Sequence, residues 1–300
     1  MHLIGIDLGG TKIEGAIVDP ANPSSALFRT RVPTESAGGY DHIIGQVGKL
    51  LAELRAHYSG AFPSVIGIGT PGTRDPKTGL QRGSNTQCLN GRPFRDDLQR
   101  ALGVEVEIAN DANCFALAEA TMGAARGYET VFGIIMGTGC GGGFVVKEHL
   151  LNGCHGIAGE WGQIVLEPDG EVSGYGTRGI IETVLAGPAL EKFYAKLSGE
   201  SRPLKEVVER ANAGIDPHAA ATITRLTDSF AKAVSIIIDS FDPHAIVVGG
   251  GVGNIDALYS EETRDKISGH IFAPSFEAAL LKPTLGDSAG VFGAAMLTVK

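Results

Sequence analysis

The chain has little cysteine, no long apolar run and no basic run, and each absence excludes something. Its four cysteines, Cys88, Cys114, Cys140 and Cys154, share no tight paired spacing. That excludes a disulfide framework and a C-x-x-C site, and it fits reduced thiols. No apolar run approaches the roughly 18 residues that a membrane helix needs. The sequence enters a strand-like run at Leu3, which leaves no room for a signal peptide, so the expected location is cytoplasmic. Lys and Arg number 25 against 34 Asp and Glu, a net charge of −9. A balance of that sign argues against nucleic acid or an anionic membrane as partner, since both reward basic patches.

Glycine is what the chain has in abundance. There are 43, about twice the share expected from an average of roughly 7%. They gather after apolar runs, a placement suited to ligand binding by backbone N–H groups. With 43% hydrophobic and 20% charged residues the composition is that of a compact protein, and 300 residues are enough for two domains.

The first glycine cluster is Asp7-Leu8-Gly9-Gly10-Thr11-Lys12, between the apolar runs Leu3–Leu8 and Ile13–Val18. The pattern predicts a hairpin whose turn lets N–H groups meet an anion, with Thr11 adding a hydroxyl and Lys12 a cation. Phosphate is the obvious anion, and Asp7 at the strand end suits a divalent metal. The plan recurs at Val131–Met136, Gly137-Thr138-Gly139-Cys140-Gly141-Gly142-Gly143 and Phe144–Val146, which predicts a duplicated domain. A third glycine loop, Gly249-Gly250-Gly251, comes after the buried strand Ala245–Val248. Helices are predicted from about Asp41, over Phe94–Leu102, from Asp111 to Met122, over Ala219–Ser240 and from Ser288. Two stretches match G-x-G-x-x-G, Gly67 to Gly72 and Gly137 to Gly142. Neither leads into a helix as a dinucleotide site requires, so both are read as chance matches. Asn85 and Asn90, in the polar loop from Gly83 to Gly91, have amides able to bind hydroxyls. Asp111 stands where a strand, Val104–Ala109, gives way to a helix. That position suits a helix cap or a carboxylate presented into a crevice.

Five pieces in order, Asp7 to Lys12, Asn110-Asp111-Ala112-Asn113, Gly137 to Gly141, His155 to Gly162 and Val248 to Gly251, resemble the ROK sugar kinases of the actin and hexokinase superfamily. The loop from Ser84 to Phe94 is most similar to the bacterial fructokinase branch. The resemblance implies an α/β fold, a duplicated actin/hexokinase-like (ribonuclease H-like) arrangement of two domains with a cleft between them. These would be residues 1–118, with the C-terminal helix 288–300 packing back on them, and 119–287. It implies that Gly9, Gly10, Thr11 and Lys12, with Asp7, face Gly137, Thr138 and Gly139 around the ATP phosphates, and that Gly249, Gly250 and Gly251 support the adenosine. Asp111 would be the catalytic base, and Asn85, Asn110, Asp111, Glu160 and Glu182 would hold sugar hydroxyls. The expected cofactors are ATP and Mg²⁺; the expected partners are a hexose and, in a homodimer, a second copy of the chain, with no nucleic acid and no membrane. The reaction implied is phosphorylation of fructose to fructose 6-phosphate, with glucose, mannose and N-acetylglucosamine as alternative acceptors. A non-catalytic sugar-binding regulator and an actin-like ATPase chaperone are the competing classes.

One departure stands out. The family's structural zinc takes a histidine after the Glu-Trp-Gly piece and three cysteines, and here those positions read Gln163, Ser173, Tyr175 and Ile180. Such a set cannot supply four zinc ligands, so no structural zinc is expected. Gln163, in place of the histidine, keeps the ability to hydrogen-bond a sugar hydroxyl but not to carry charge.

Overall fold

The computed structural model describes residues 2–21 and 25–299. In chain order its elements are β1 (Leu3–Leu8), β2 (Lys12–Val18), β3 (Ala26–Pro33), α1 (Tyr40–His57), β4 (Val65–Thr70), β5 (Thr73–Arg74), β6 (Gln81–Arg82), α2 (Phe94–Leu102), β7 (Glu105–Asn110) and α3 (Asp111–Thr121). The second series is β8 (Thr130–Met136), β9 (Cys140–Val146), β10 (His149–Leu150), α4 (Glu182–Leu185), α5 (Gly187–Ser198), α6 (Leu204–Asn212) and α7 (Pro217–Phe241). It ends with β11 (Ala245–Gly249), α8 (Gly250–Gly253), α9 (Glu261–Ser268), β12 (Ala279–Leu281) and α10 (Ala289–Met296). Two compact units result: residues 1–129, 143–158 and 283–300 in one, 130–142 and 159–282 in the other.

The first unit is built on a sheet of order β3-β2-β1-β4-β7. β1 and β2 form the expected hairpin, Leu3 opposite Val18 and Leu8 opposite Ile13, while β1, β4 and β7 run parallel. Side chains alternate between the faces of a strand, so Ile4, Ile6 and Leu8 share one face and Gly5 and Asp7 the other. The isoleucine face packs in one core with Ile43, Val47, Leu50 and Leu54 of α1. The glycine face receives α10, whose buried Val291, Ala294 and Ala295 come down on β1 and β4. The approach is close enough that a Cβ at Gly67 would lie 1.6 Å from the Ala294 carbonyl oxygen. The first G-x-G-x-x-G match thereby acquires a physical reason: Gly67 gives room for a helix, not for a pyrophosphate. The chain then turns into the small hairpin β5-β6, Thr73 opposite Arg82.

The second sheet repeats the plan in the order β10-β9-β8-β11-β12, with β8, β11 and β12 parallel. β11 is buried along its whole length, as its unbroken apolar run requires. The long helix α7 starts where Asp216 caps it, accepting N–H bonds from His218 and Ala219 ahead of Pro217. Tyr194 and Arg210 donate to the other Asp216 oxygen at 2.7 and 2.8 Å, tying α5 and α6 to that cap. The third glycine loop differs from expectation. Gly249 closes β11 and Gly250 to Gly253 form the short helix α8, so the glycines are a strand-to-helix junction.

Candidate active site

In the first unit the glycine turn and the Asn-Asp pair come out at the carboxyl ends of parallel strands, where open α/β sheets place ligands. The turn is closed by the Gly9 N–H donating to the Lys12 carbonyl at 3.0 Å and by the Thr34 hydroxyl on the Gly9 carbonyl at 2.6 Å. Gly10, Thr11 and Lys12 are exposed. Lys12 lies 3.7 Å from buried Glu14, which also takes Arg29 and Arg31. Asp7 is turned toward the start of α10, where a Cβ at Gly290 would sit 2.7 Å from its Oδ2. Burial, with the Asp111 and Glu14 charges, pushes the Asp7 carboxyl up to about 6 against the pull of Lys12 and Arg29.

Asn110 is the N-cap of α3 and accepts the Ala112 N–H at 2.9 Å; its Nδ2 donates to the Gly72 carbonyl at 3.2 Å. Asp111, the first residue of the helix, accepts the same N–H at 2.8 Å. Asp111 is open to solvent, yet desolvation by the protein packed around its carboxyl raises it above the usual range, with the Ala112 and Asn110 hydrogen bonds acting the other way. Burial, then the charges of Asp7 and Asp111, raises the Cys114 thiol as well, which puts Cys114 close beneath both carboxylates. Asn85 is exposed, and its amide makes no hydrogen bond among the described residues. Asn90 instead braces the loop, accepting the Ser84 N–H and donating to the Ser84 carbonyl, both at 2.9 Å.

In the second unit Gly137, Thr138 and Gly251 line one cavity of about 820 Å³, closed by Pro188, Leu204 and Ile255. Polar glycine turns on one side and apolar side chains on another suit a group that is phosphate at one end and aromatic at the other. The second turn is braced by Glu182, whose Oε2 accepts the Cys140 N–H at 3.0 Å. Glu182 and Glu160 together, after burial, raise the Tyr175 hydroxyl. Tyr175 therefore stands near both glutamates, though its side chain is largely exposed.

The four zinc-ligand positions show what holds this segment together. Ile180 is fully buried and pairs with Val165, and Val172 pairs with Arg178. The Leu166 and Glu167 N–H groups donate to the Gly179 carbonyl, Gly179 donates to Glu171, Ser173 to Thr177, and Ile181 to Ile164. Gly179 has φ 63°, and a Cβ there would lie 1.5 Å from the Glu167 carbonyl oxygen, so only glycine closes the loop. A backbone-laced loop seated on Ile180 carries the frame that delivers Glu182.

Sequence reasoning overlooked Gly290 and Tyr175. Gly290 lies far along the chain from Asp7 and has no local motif. Tyr175 was noted only as a lost ligand.

A half-buried Asp7 and an exposed Asp111 at the ends of parallel strands, with glycine turns at corresponding places in two sheets of one plan, fit the hexokinase-like fold of sugar kinases. The chain belongs to the ROK family, which it matches over residues 3–300. It is 35% identical to an N-acetyl-D-glucosamine kinase of Yersinia pseudotuberculosis, covering 98% of this chain and 97% of that one. An N-acetyl-D-glucosamine kinase of Photobacterium profundum is 33% identical over 99% of both chains. The solved ROK hexokinase of Thermus thermophilus superposes with a TM-score of 0.87 at 32% identity, covering 99% of this chain and 97% of that one. A ROK glucokinase of Streptomyces griseus, solved with glucose and AMPPNP, gives 0.75 at 28% identity over 99% of both. Fructokinases are not among these relatives, so the branch expected from the Ser84 to Phe94 loop finds no support in them. That loop is shaped by its own Ser84–Asn90 bracing, which carries no information about the acceptor.

Proposed function

We propose that the protein transfers the γ-phosphoryl group of MgATP to a hydroxyl of an aldohexose, with N-acetylglucosamine or glucose as acceptor and Asp111 as general base. The Asp111 carboxylate, open to solvent at the head of α3 beside Asp7, is the observation that carries this reading. A carboxyl raised by desolvation is a better proton acceptor than one in water, and phosphoryl transfer needs little else from the protein beyond positioning and charge. The choice of sugar rests on the names of the relatives, and fructose, which the loop suggested, stands behind it.

The other roles come from placement. Asp7 suits Mg²⁺: the described residues include no cluster of three or more His, Cys, Asp or Glu able to cage an ion, and Mg²⁺ is commonly held by one or two carboxylates with water and substrate phosphates. Bound there, the ion neutralises charge on the transferring phosphoryl group. The turn that Gly9 closes offers the exposed N–H groups of Gly10 and Thr11 to phosphate, with Lys12 as a cation. Gly137, Thr138, Gly139 and Gly249 to Gly251 serve the nucleotide in the same way. Asn85, Asn110, Glu160, Gln163 and Glu182 serve the sugar hydroxyls.

The test is ADP release from ATP with a panel of hexoses, with and without Mg²⁺. N-acetylglucosamine or glucose should give the highest kcat/KM. Asp111→Asn should lower kcat by roughly 10³-fold or more while leaving sugar and ATP affinity within a few-fold. Turnover of Asp111→Asn near the unmodified level would refute the base assignment; a clear preference for fructose would refute the acceptor.

A further inference from the structure

On the face of the first sheet that carries Asp7, three strands place charges in one row. Asp7 on β1 stands opposite Glu14 on β2, and Glu14 stands opposite Arg31 on β3. Two carboxylates directly across a strand pair repel each other, and Glu14 is only 3% exposed. A buried charge is costly unless it is paired, so cations must gather on it. Three do. Arg29 Nε pairs with Glu14 Oε1, while Arg31 Nε at 2.6 Å and Lys12 Nζ at 3.7 Å share the other oxygen, Oε2.

The three cations are not equally occupied. Arg29 is fully committed, since its terminal nitrogens donate to the Ser288 hydroxyl at 2.7 Å and to the Asp287 carbonyl at 3.4 Å. That ties β3 to the segment leading into α10. Arg31 uses only Nε: its two terminal nitrogens donate to nothing among the described residues, and its side chain is 47% exposed. Lys12 is exposed too, and Glu14 is its one ionic contact among the described residues. Two carboxylates, Asp7 and Glu14, therefore face three cations, and the surplus positive charge lies on the two that are open to solvent. Pairing Glu14 does not require that surplus, which runs against the chain's net charge of −9.

We infer that Arg31 is a further phosphate-binding residue, acting beside Lys12 on the phosphate chain of the nucleotide, an assignment that rests on reading the first glycine turn as a phosphate site. Sharing Glu14 Oε2 keeps the Arg31 guanidinium and the Lys12 ammonium side by side, next to the exposed Gly10 and Thr11. With Nε anchored on Glu14, the terminal nitrogens of Arg31 present a planar edge of N–H donors that matches two oxygens of one phosphate. Lysine is a point charge and cannot do this. The two cations thus contribute differently, Lys12 charge alone and Arg31 charge with direction.

Binding to the full-length protein, read by calorimetry with no hexose present, tests this. The probes are ATP, AMP and inorganic tripolyphosphate, which has the phosphate chain without the nucleoside. Arg31→Gln should weaken tripolyphosphate and ATP by about tenfold or more, since a charge-assisted fork is lost, and AMP by less than about threefold. Arg31→Lys keeps a third cation on Glu14 but not the fork, so it should fall between, and it gives the answer even where Arg31→Gln is too unstable to measure. In turnover the KM for ATP should rise about tenfold with the KM for the hexose unchanged, whereas a residue that merely braced the sheet would move both. The assignment fails if the Arg31 variants bind tripolyphosphate and ATP as the unmodified protein does. Lys12→Gln separates that failure from failure of the phosphate reading. If Lys12→Gln alone weakens both probes, the turn holds phosphate and Arg31 only pairs Glu14; if it too has no effect, the turn is not a phosphate site.

Discussion

The two glycine turns answer the same need with opposite economies of charge. The first, from Asp7 to Lys12, keeps a carboxylate on its own strand, half-buries it, and tolerates the strain that desolvation puts on ionisation. At the position matching Asp7 the second strand has Ile135, and its turn is steadied by a carboxylate brought from elsewhere, Glu182, through the Cys140 N–H. The plan is duplicated but the chemistry is not. The turn that carries its own acid suits a metal, whereas the turn that borrows one is free to pack against apolar walls, as the cavity around Thr138 and Ile255 does.

Asp7→Asn puts this contrast to its severest test. The Asp7 carboxyl is raised from 3.8 to about 6, mainly by burial. Between those values the folded protein holds more protons than the unfolded chain, so stability falls as pH rises through that window. The shift corresponds to roughly 3 kcal/mol by the 1.36 kcal/mol-per-unit relation. Asp7→Asn should therefore be more stable than the unmodified protein at pH 7, by up to about 3 kcal/mol, with the advantage vanishing near pH 4. Phosphoryl transfer should meanwhile drop by about 100-fold or more. Urea unfolding at the two pH values, alongside ADP release, checks both halves. An Asp7→Asn protein no more stable at pH 7 than its parent would mean that the first turn bears no ionisation strain.

Much of this was legible in the sequence because it is local. The hairpin β1-β2, the buried β11 and the long α7 can be read from apolar periodicity, and Asp111 at a strand-to-helix junction from chain order. What was not legible depends on residues distant in sequence. Gly67 reads as part of a chance fingerprint match, and the reason for a glycine there appears only when α10, more than two hundred residues on, is seen lying on it. Gly249 to Gly251 read as a loop, since glycine discourages helix prediction, yet α8 starts there.

A more modest change is expected at the second turn. If Glu182 acts by accepting the Cys140 N–H, Glu182→Ala leaves that donor unpaired and should cost about 1–2 kcal/mol, while Glu182→Gln keeps an amide oxygen and should recover most of it. Thermal unfolding distinguishes the two. Equal losses in both variants would make the charge of Glu182, and not its hydrogen bond, the stabilising element, and the two turns would then be more alike than they look.

One treatment should do nothing at all, and it bears on how the borrowed carboxylate is held. Glu182 opens α4 directly after the segment in which Gln163, Ser173, Tyr175 and Ile180 occupy the family's zinc positions. If a metal braced that segment, removing it would loosen Glu182 and with it the second turn, and the loss would be large, because structural metal sites contribute folding energy outright. The brace seen instead is Ile180 in the core and a ladder of N–H bonds onto the Gly179, Glu171 and Thr177 carbonyls, none of which a chelator can remove. Incubation with 1,10-phenanthroline should leave the unfolding midpoint and the sugar KM unchanged, and elemental analysis should find no stoichiometric zinc. Ile180→Ala, which opens a cavity under the same segment, should by contrast cost about 2–5 kcal/mol. A chelator that lowers the midpoint would transfer the bracing role from Ile180 to a metal.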